Sequence, residues 1–182
     1  SSQAIRRVLE SPGASSRALA EGTSLQARNI KSEWRDAWDD KPAPERALAA
    51  LRSPLLRDAA DLYARGYEED LSHCYSGVNA LSLYRLLTEL ARQHPDVWDE
   101  GFDSEDDAKT ALRACDDLVA QLTGSVRVSL RACRRQLERQ VPRDDDACMW
   151  LGMSDADFAF LTATRPGPVA QAYRKALAVA SA

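Results

Sequence analysis

The stretch GYEEDLSHCYSGVNALSLYRLL, from Gly66 to Leu87, decides how the fold of this chain is predicted. Its first residues are typical of the end of a helix, and its last residues form the apolar stripe of another helix. Between them lies a predicted loop, in which Gly77 suits a left-handed turn and Asn79 suits a helix N-cap. The loop also contains His73 and Cys74, two side chains that occur in catalytic sites. The stretch therefore predicts two antiparallel helices joined at a corner that is rich in polar groups.

Apolar residues recur every three or four positions on both sides of this stretch, which is the period of an amphipathic helix. A short amphipathic turn is predicted at about 4–9. Longer helices are predicted at about 18–38, 45–52, 54–67, 80–93, 105–122, 126–141, 147–163 and 166–180. Gly124 is predicted to separate two of these helices, and no convincing alternation typical of a strand appears. The chain is therefore predicted to be all-α, with eight or nine antiparallel helices in an α-solenoid or a compact bundle.

Composition narrows the classes of function. A length of 182 residues suits one domain with its own core, so we expect residues 1–182 to form a single helical-repeat domain, either complete or excised from a longer chain. The formal net charge of −4 argues against a nucleic-acid partner, because binding to phosphates usually needs a basic surface. No segment is apolar over the roughly 18 residues that a membrane span requires, so no membrane partner is expected.

The cysteine and histidine residues give no sign of a metal or a cofactor. Cys74, Cys115, Cys133 and Cys148 are far apart in the sequence and form no CxxC pair. With only two histidines, a zinc site would need ligands from distant parts of the chain. We expect reduced thiols in a cytoplasmic protein and no cofactor.

Two motifs resemble known helical domains. The segment Ala172 to Leu177, AYRKAL, resembles the second helix of a tetratricopeptide repeat. The segment GYExD at Gly66 to Asp70, followed by YxGVNAxSL at Tyr75 to Leu83, resembles the signature of a more specific family. That family is the tetratricopeptide-like TRAFs-binding domain of apoptosis-signal-regulating kinases, which also occurs in bacterial proteins.

Two flanking segments extend this second resemblance over about residues 28–177. Arg28, Lys31 and Trp34 match a motif in an early helix of the family, and Trp150, Ser154 and Asp157 match a later one. The sequence departs from the family pattern at Ser76, Ser82 and Asp157. The first 20 or so residues match nothing distinctive.

The resemblance implies a non-enzymatic regulatory scaffold. In the kinases the domain holds a neighbouring catalytic domain and recruits adaptors, and bacterial relatives accompany effector modules of stress or defence signalling. For this chain the implied partner is a protein or an effector domain attached to the same chain. Self-association into a homo-oligomer stays open.

The polar corner around the opening stretch supports two hypotheses. In the structural one, Glu68 and Asp70 accept hydrogen bonds from Arg28 or Lys31 and Tyr75 packs on the preceding helix. In the functional one, the chain is a helical enzyme or ligand sensor, and the corner forms a pocket for a small anionic or nucleotide-like ligand. The six residues of this candidate polar corner are Arg28, Lys31, Glu68, Asp70, Tyr75 and Asn79. A cysteine nucleophile at Cys74, beside His73, is a weaker hypothesis, because neighbouring loop residues seldom point at one another.

A second group of candidates lies on one predicted helix. Its arginines, opposite the apolar stripe, form either a solvated face or a groove for an acidic peptide or a nucleic acid. This candidate basic face consists of Arg127, Arg131, Arg134 and Arg135, with Arg139 after them. Exposed tryptophans would also mark an interface. We expect Trp150 in the core and regard Trp34 and Trp98 as interface candidates if they are exposed.

Overall fold

The computed structural model describes residues 2–142 and 144–180, and in these ranges the chain forms nine helices and no strand. The helices are α1 (Ser2–Leu9), α2 (Ser16–Asp36), α3 (Ala43–Arg52), α4 (Leu55–Glu69), α5 (Cys74–Gln93), α6 (Pro95–Asp99), α7 (Glu105–Glu138), α8 (Asp145–Thr162) and α9 (Pro166–Ala180). The predicted single domain also includes residues 1, 143, 181 and 182, which lie outside the described ranges.

The long helices pack in antiparallel succession. Helix α2 packs on α4, α4 on α5, α5 on α7 and α8 on α9, while α5 also contacts α8. Each helix thus buries its apolar stripe against the next, as in a helical repeat. The predicted fold class is confirmed: the chain has an all-α, tetratricopeptide-like helical-repeat fold. The short helices α3 and α6 are additions to this succession, and both contact α5.

The corner between α4 and α5 is tighter than predicted. Only residues 70–73 separate the two helices, so Gly77 and Asn79 lie inside α5 rather than in a loop. The predicted left-handed turn and N-cap are therefore wrong, and in the described ranges Gly13 is the glycine with positive φ. Gly77 is needed for packing: a Cβ there would lie 2.7 Å from Cγ2 of Val126 and 3.0 Å from the ring of Tyr67.

The predicted break at Gly124 is also wrong, because α7 runs unbroken for 34 residues from Glu105 to Glu138. This helix is about 50 Å long at 1.5 Å per residue. Its predicted start is confirmed: the side chain of Ser104 accepts a hydrogen bond from the backbone N–H of Asp107. A glycine costs a helix only about 1 kcal/mol relative to alanine. The packing of α7 against α5 and α8 outweighs that cost.

Of the tryptophans considered in the sequence, Trp150 lies where it was not expected, and Trp34 and Trp98 do not meet the condition of exposure that would make them interface candidates. Trp34 and Trp98 are buried, and their indole N–H groups donate to the backbone carbonyls of Ala50 and Ala108. Trp150, expected in the core, is 65% exposed. Helix α8 is apolar on most sides and Ala156 is its one buried residue in the described chain, so periodicity cannot show which side is covered.

Two glycine substitutions test this packing. Gly124→Ala should raise the free energy of unfolding by about 0.5–1 kcal/mol, because alanine favours the helix and nothing lies within 4 Å of the added Cβ. Gly77→Ala should lower it by about 1–2 kcal/mol, because the methyl group overlaps Val126 and Tyr67. Urea unfolding of both variants measures the difference. Equal effects of the two substitutions would contradict the assigned packing of α5 on α7.

Candidate functional site

Three residues of the predicted polar corner meet where α2 lies beside α5. Nζ of Lys31 donates a hydrogen bond of 2.7 Å to Oδ1 of Asn79. Nδ2 of Asn79 donates to the carbonyl of Tyr75 at 2.9 Å, so the side-chain amide of Asn79 is bonded to both Lys31 and Tyr75. Nζ of Lys31 also lies 5.3 Å from the ring centroid of Tyr63, within range of a cation–π contact. These polar groups are thus held together by one another.

Positive charge is concentrated around Lys31. Burial lowers the pKa of Lys31, the positive charges of Arg35 and Arg28 lower it further, and Asp157 of α8 opposes the shift. The three cations all belong to α2, and Arg28 and Arg35 are exposed. We call the surface that carries Arg28, Lys31, Asn79 and Asp157 the inner face, since it joins α2, α5 and α8.

Two aromatic rings form the edge of this face. The hydroxyl groups of Tyr63 and Tyr75 lie 3.4 Å apart, and the rings pack edge to face with centroids 6.0 Å apart. Burial raises the pKa of Tyr63, and the hydrogen bond with Tyr75 adds to the effect. Tyr63 is fully buried, whereas Tyr75 is 43% exposed. Tyr75 therefore packs on α4, as predicted, and also presents an aromatic surface to solvent.

The two carboxylates of the predicted corner lie elsewhere. Oδ1 of Asp70 accepts hydrogen bonds from the backbone N and the hydroxyl of Ser72. The side-chain bond from Ser72 is the main cause that lowers the pKa of Asp70. Glu68 is exposed on α4. The expected pairs between these carboxylates and Arg28 or Lys31 do not form among the described residues, because Lys31 bonds Asn79 and Asp70 caps its own turn.

A chain of polar groups that the sequence did not reveal joins the other end of α2 to α5. Nε2 of His73 lies 2.9 Å from Oε2 of Glu21, and its Nδ1 lies 2.7 Å from Oγ of Ser76. The hydroxyl of Ser76 also contacts that of Ser24. The order carboxylate, imidazole, hydroxyl is that of a hydrolase triad, but Ser76 is fully buried and cannot meet a substrate. No motif spacing could have found it, since Glu21 and His73 are 52 positions apart.

The cysteine-nucleophile hypothesis is weakened by the surroundings of Cys74. Its side chain is buried, and its Sγ lies 3.4 Å from Sγ of Cys133. Burial is the main cause that raises the pKa of Cys74, and the hydrogen bond with Cys133 raises it further. His73 contacts Glu21 and Ser76. The reactive thiolate is therefore disfavoured at Cys74.

All four arginines of the predicted basic face are exposed on α7. The guanidinium carbon of Arg127 lies 5.8 Å from the ring centroid of Phe158, and Arg134 forms an ion pair with Asp155. Two of the four thus connect α7 to α8. Arg131 and Arg135 remain on the exposed surface of α7.

A family model described as Tetratricopeptide Repeats-Sensor matches residues 1–84, which include α1 to α4 and the first half of α5. This part of the chain is therefore similar to a tetratricopeptide-repeat family. The match begins at residue 1, in a region where the sequence motifs showed nothing distinctive. The finer resemblance to the TRAFs-binding domain stays a prediction.

No curated protein and no solved structure matches the chain significantly. Within residues 2–142 and 144–180, no three His, Cys, Asp or Glu side chains are grouped so that they could hold a metal ion. None of the helices in the same ranges is both long and apolar enough to cross a bilayer.

The reactivity of Cys74 tests whether it can act as a nucleophile. We expect iodoacetamide to alkylate Cys74 at least about tenfold more slowly in the folded chain than in urea, because burial disfavours the thiolate. Peptide mapping by mass spectrometry at several times gives the rate for each cysteine. Cys115, which is also buried with a raised pKa, should be slow as well. Equal rates for Cys74 in folded and unfolded chains would restore the nucleophile hypothesis.

Proposed function

We propose that this chain is a non-enzymatic regulatory scaffold that binds a protein partner, or an effector domain of its own chain, on the inner face. The observation that carries the proposal is the exposed aromatic side chain of Tyr75, which packs on the ring of Tyr63. Nζ of Lys31 lies 5.3 Å from the centroid of that Tyr63 ring, and Arg28 is exposed on the same helix as Lys31. Aromatic and arginine side chains supply much of the binding energy of protein interfaces. The tetratricopeptide-like match over residues 1–84 supports the same class of function.

The hydrogen bonds of the inner face favour a protein partner over a small ligand. Lys31, Asn79 and the carbonyl of Tyr75 bond one another, so few of these groups are left to bind a small anion. The exposed parts are Arg28 and the ring of Tyr75, which suit a broad contact. The rigid helices around them keep this surface in place without a ligand.

A regulatory rather than a purely structural role is part of the proposal. The matched family is described as a sensor, and the resemblance to regulatory domains of kinases and of bacterial stress or defence systems points the same way. The negative net charge of the whole chain contrasts with the cluster of three cations on α2. The cluster would therefore steer an acidic partner towards the inner face.

Charge reversal on the inner face tests the proposal. The intact chain, immobilised and exposed to a native lysate, should retain one or a few proteins that mass spectrometry identifies. Arg28→Glu and Tyr75→Ala should each reduce retention of the same protein by at least about tenfold, because they remove exposed anchors of the interface. Lys109→Glu, on an exposed part of α7, is the matched control and should leave retention unchanged.

Two outcomes would contradict the proposal. The first is retention of the same protein by Arg28→Glu and Tyr75→Ala at the level of the unchanged chain. The second is the absence of any retained protein together with a rise in Tm when small anions or nucleotides are added. That result would favour the ligand-sensor hypothesis, because a ligand that binds only the folded state stabilises it.

A further inference from the structure

A cavity of about 460 Å³ lies between α2, α3 and α5, beside the inner face. Its walls are almost entirely apolar and are formed by Trp34, Trp38, Ala47, Ala50, Leu86 and Leu90. A volume of this size is typical of sites that accept one large side chain or a small ligand. Helix α3, which is an addition to the succession of long helices, forms one wall of this cavity. Two packed long helices alone would therefore not form it.

The two tryptophans of the cavity differ in their hydrogen bonds. Their rings pack edge to face, with centroids 5.2 Å apart. Nε1 of Trp34 donates to the carbonyl of Ala50 at 3.0 Å, which joins α2 to α3. Nε1 of Trp38 is buried, and no acceptor lies within hydrogen-bonding distance among the described residues. A buried donor without an acceptor is costly, so a turn of the Trp38 ring that brings this N–H to an acceptor on a ligand would be favourable.

The charged side chains on the rim of the cavity are cations. Lys31 and Arg35 of α2 and Arg46 of α3 line it, and no Asp or Glu side chain of the described residues does. The side chain of Arg35 is 62% exposed, and its ion pair with Asp36 is long at 3.5 Å. Nε of Arg46 donates to the carbonyl of Lys41, which holds the guanidinium group at the α3 side of the rim. Positively charged side chains of α2 and of α3 therefore lie on two sides of the apolar part of the cavity.

We propose that this cavity is the docking site for an acidic segment of the partner protein. One large apolar side chain of the segment enters between the tryptophans and Leu86. The Trp38 ring turns on binding, so that a backbone carbonyl of the segment accepts the hydrogen bond from its Nε1, and carboxylates on either side of the apolar residue pair with Arg35 and Arg46. The inference rests on the proposed scaffold function and names the chemistry of the partner.

The arrangement of cations around an apolar cavity favours an acidic protein segment over a small ligand or a second copy of the chain. Cations on two different helices require negative charge at two separated points, which successive acidic side chains provide. The apolar centre and the indole donor require a side chain and a carbonyl at the same place, and both occur in every residue of a peptide. The charge of the rim, opposite in sign to the net charge of −4, is complementary to such a segment.

Selection from a displayed library of random linear peptides tests the proposal on the intact chain. We expect the selected peptides to share one large apolar residue with Asp or Glu on both sides. For a resynthesised peptide, fluorescence anisotropy should show affinity at least about tenfold weaker for Leu86→Arg, which fills the cavity with a charge. Val128→Arg is the matched control, because Val128 is 64% exposed on α7 and should tolerate the change.

Two further variants separate the roles of charge and of the indole donor. Arg35→Glu should weaken binding at least about tenfold, while Arg65→Glu, an exposed residue of α4, should not. Trp38→Phe keeps an aromatic ring but removes the donor, and it should weaken binding at least about threefold. Thermal unfolding by circular dichroism verifies that each variant is folded before affinities are compared.

The peptide experiments would overturn the docking site if the selected peptides showed no such consensus, if Leu86→Arg bound equally well, or if the consensus lacked acidic residues. The scaffold function is tested separately by the protein retained from lysate. Loss of that protein in Arg28→Glu but not in Leu86→Arg would leave the scaffold standing and place its partner elsewhere. Self-association of the chain that Leu86→Arg abolishes would assign the cavity to a second copy and also overturn the proposal.

Discussion

The close approach of α2, α4 and α5 at Gly66 is the constraint on which the arrangement of the helices depends. A Cβ at Gly66 would lie 3.2 Å from the carbonyl oxygen of Ala20 and within 3.5 Å of the hydroxyl groups of Ser76 and Ser24. Small side chains on all three helices therefore allow their backbones to come near one another. A larger residue at this position would push the helices apart, since a packed interior yields little.

The inner face and the cavity both depend on this close approach of α2, α4 and α5. Because α2 lies close to α5, the side chain of Lys31 reaches Asn79, whose amide also donates to the backbone carbonyl of Tyr75. The exposed ring of Tyr75 packs on Tyr63, and Nζ of Lys31 lies 5.3 Å from the centroid of the Tyr63 ring. The same closeness connects the exposed Glu21 through His73 to the buried Ser76, whose hydroxyl would be costly to leave unpaired. Helix α3 then completes the cavity by bonding its Ala50 carbonyl to Trp34. One face of α2 thus contributes to packing, to the inner face and to the cavity.

The positions of most helices could be predicted because periodicity is local, although the short helix α6 was not predicted and two predicted helices form the single helix α7. A stripe of apolar residues appears in the sequence wherever one side of a helix is covered, and capping residues such as Ser104 mark its start. The errors occurred where two physical effects compete. At Gly124 the low helix propensity of glycine is outweighed by the packing of α7. At Gly77 a residue typical of turns is required by the close contact with Val126, which lies far away in the sequence. At Trp150 the apolar pattern of α8 could not show which side another helix covers.

The sequence by itself determined the all-α class, the order of the helices and the residue types from which a polar corner could be built. Only the tertiary structure decided which of them meet. Lys31 bonds Asn79 rather than Asp70, His73 contacts Glu21 and Ser76, and the unpaired indole of Trp38 lines a cavity with a positive rim. The physical reason is that a hydrogen bond or an ion pair depends on atoms a few ångströms apart. Such proximity between residues far apart in the chain arises only when the helices pack.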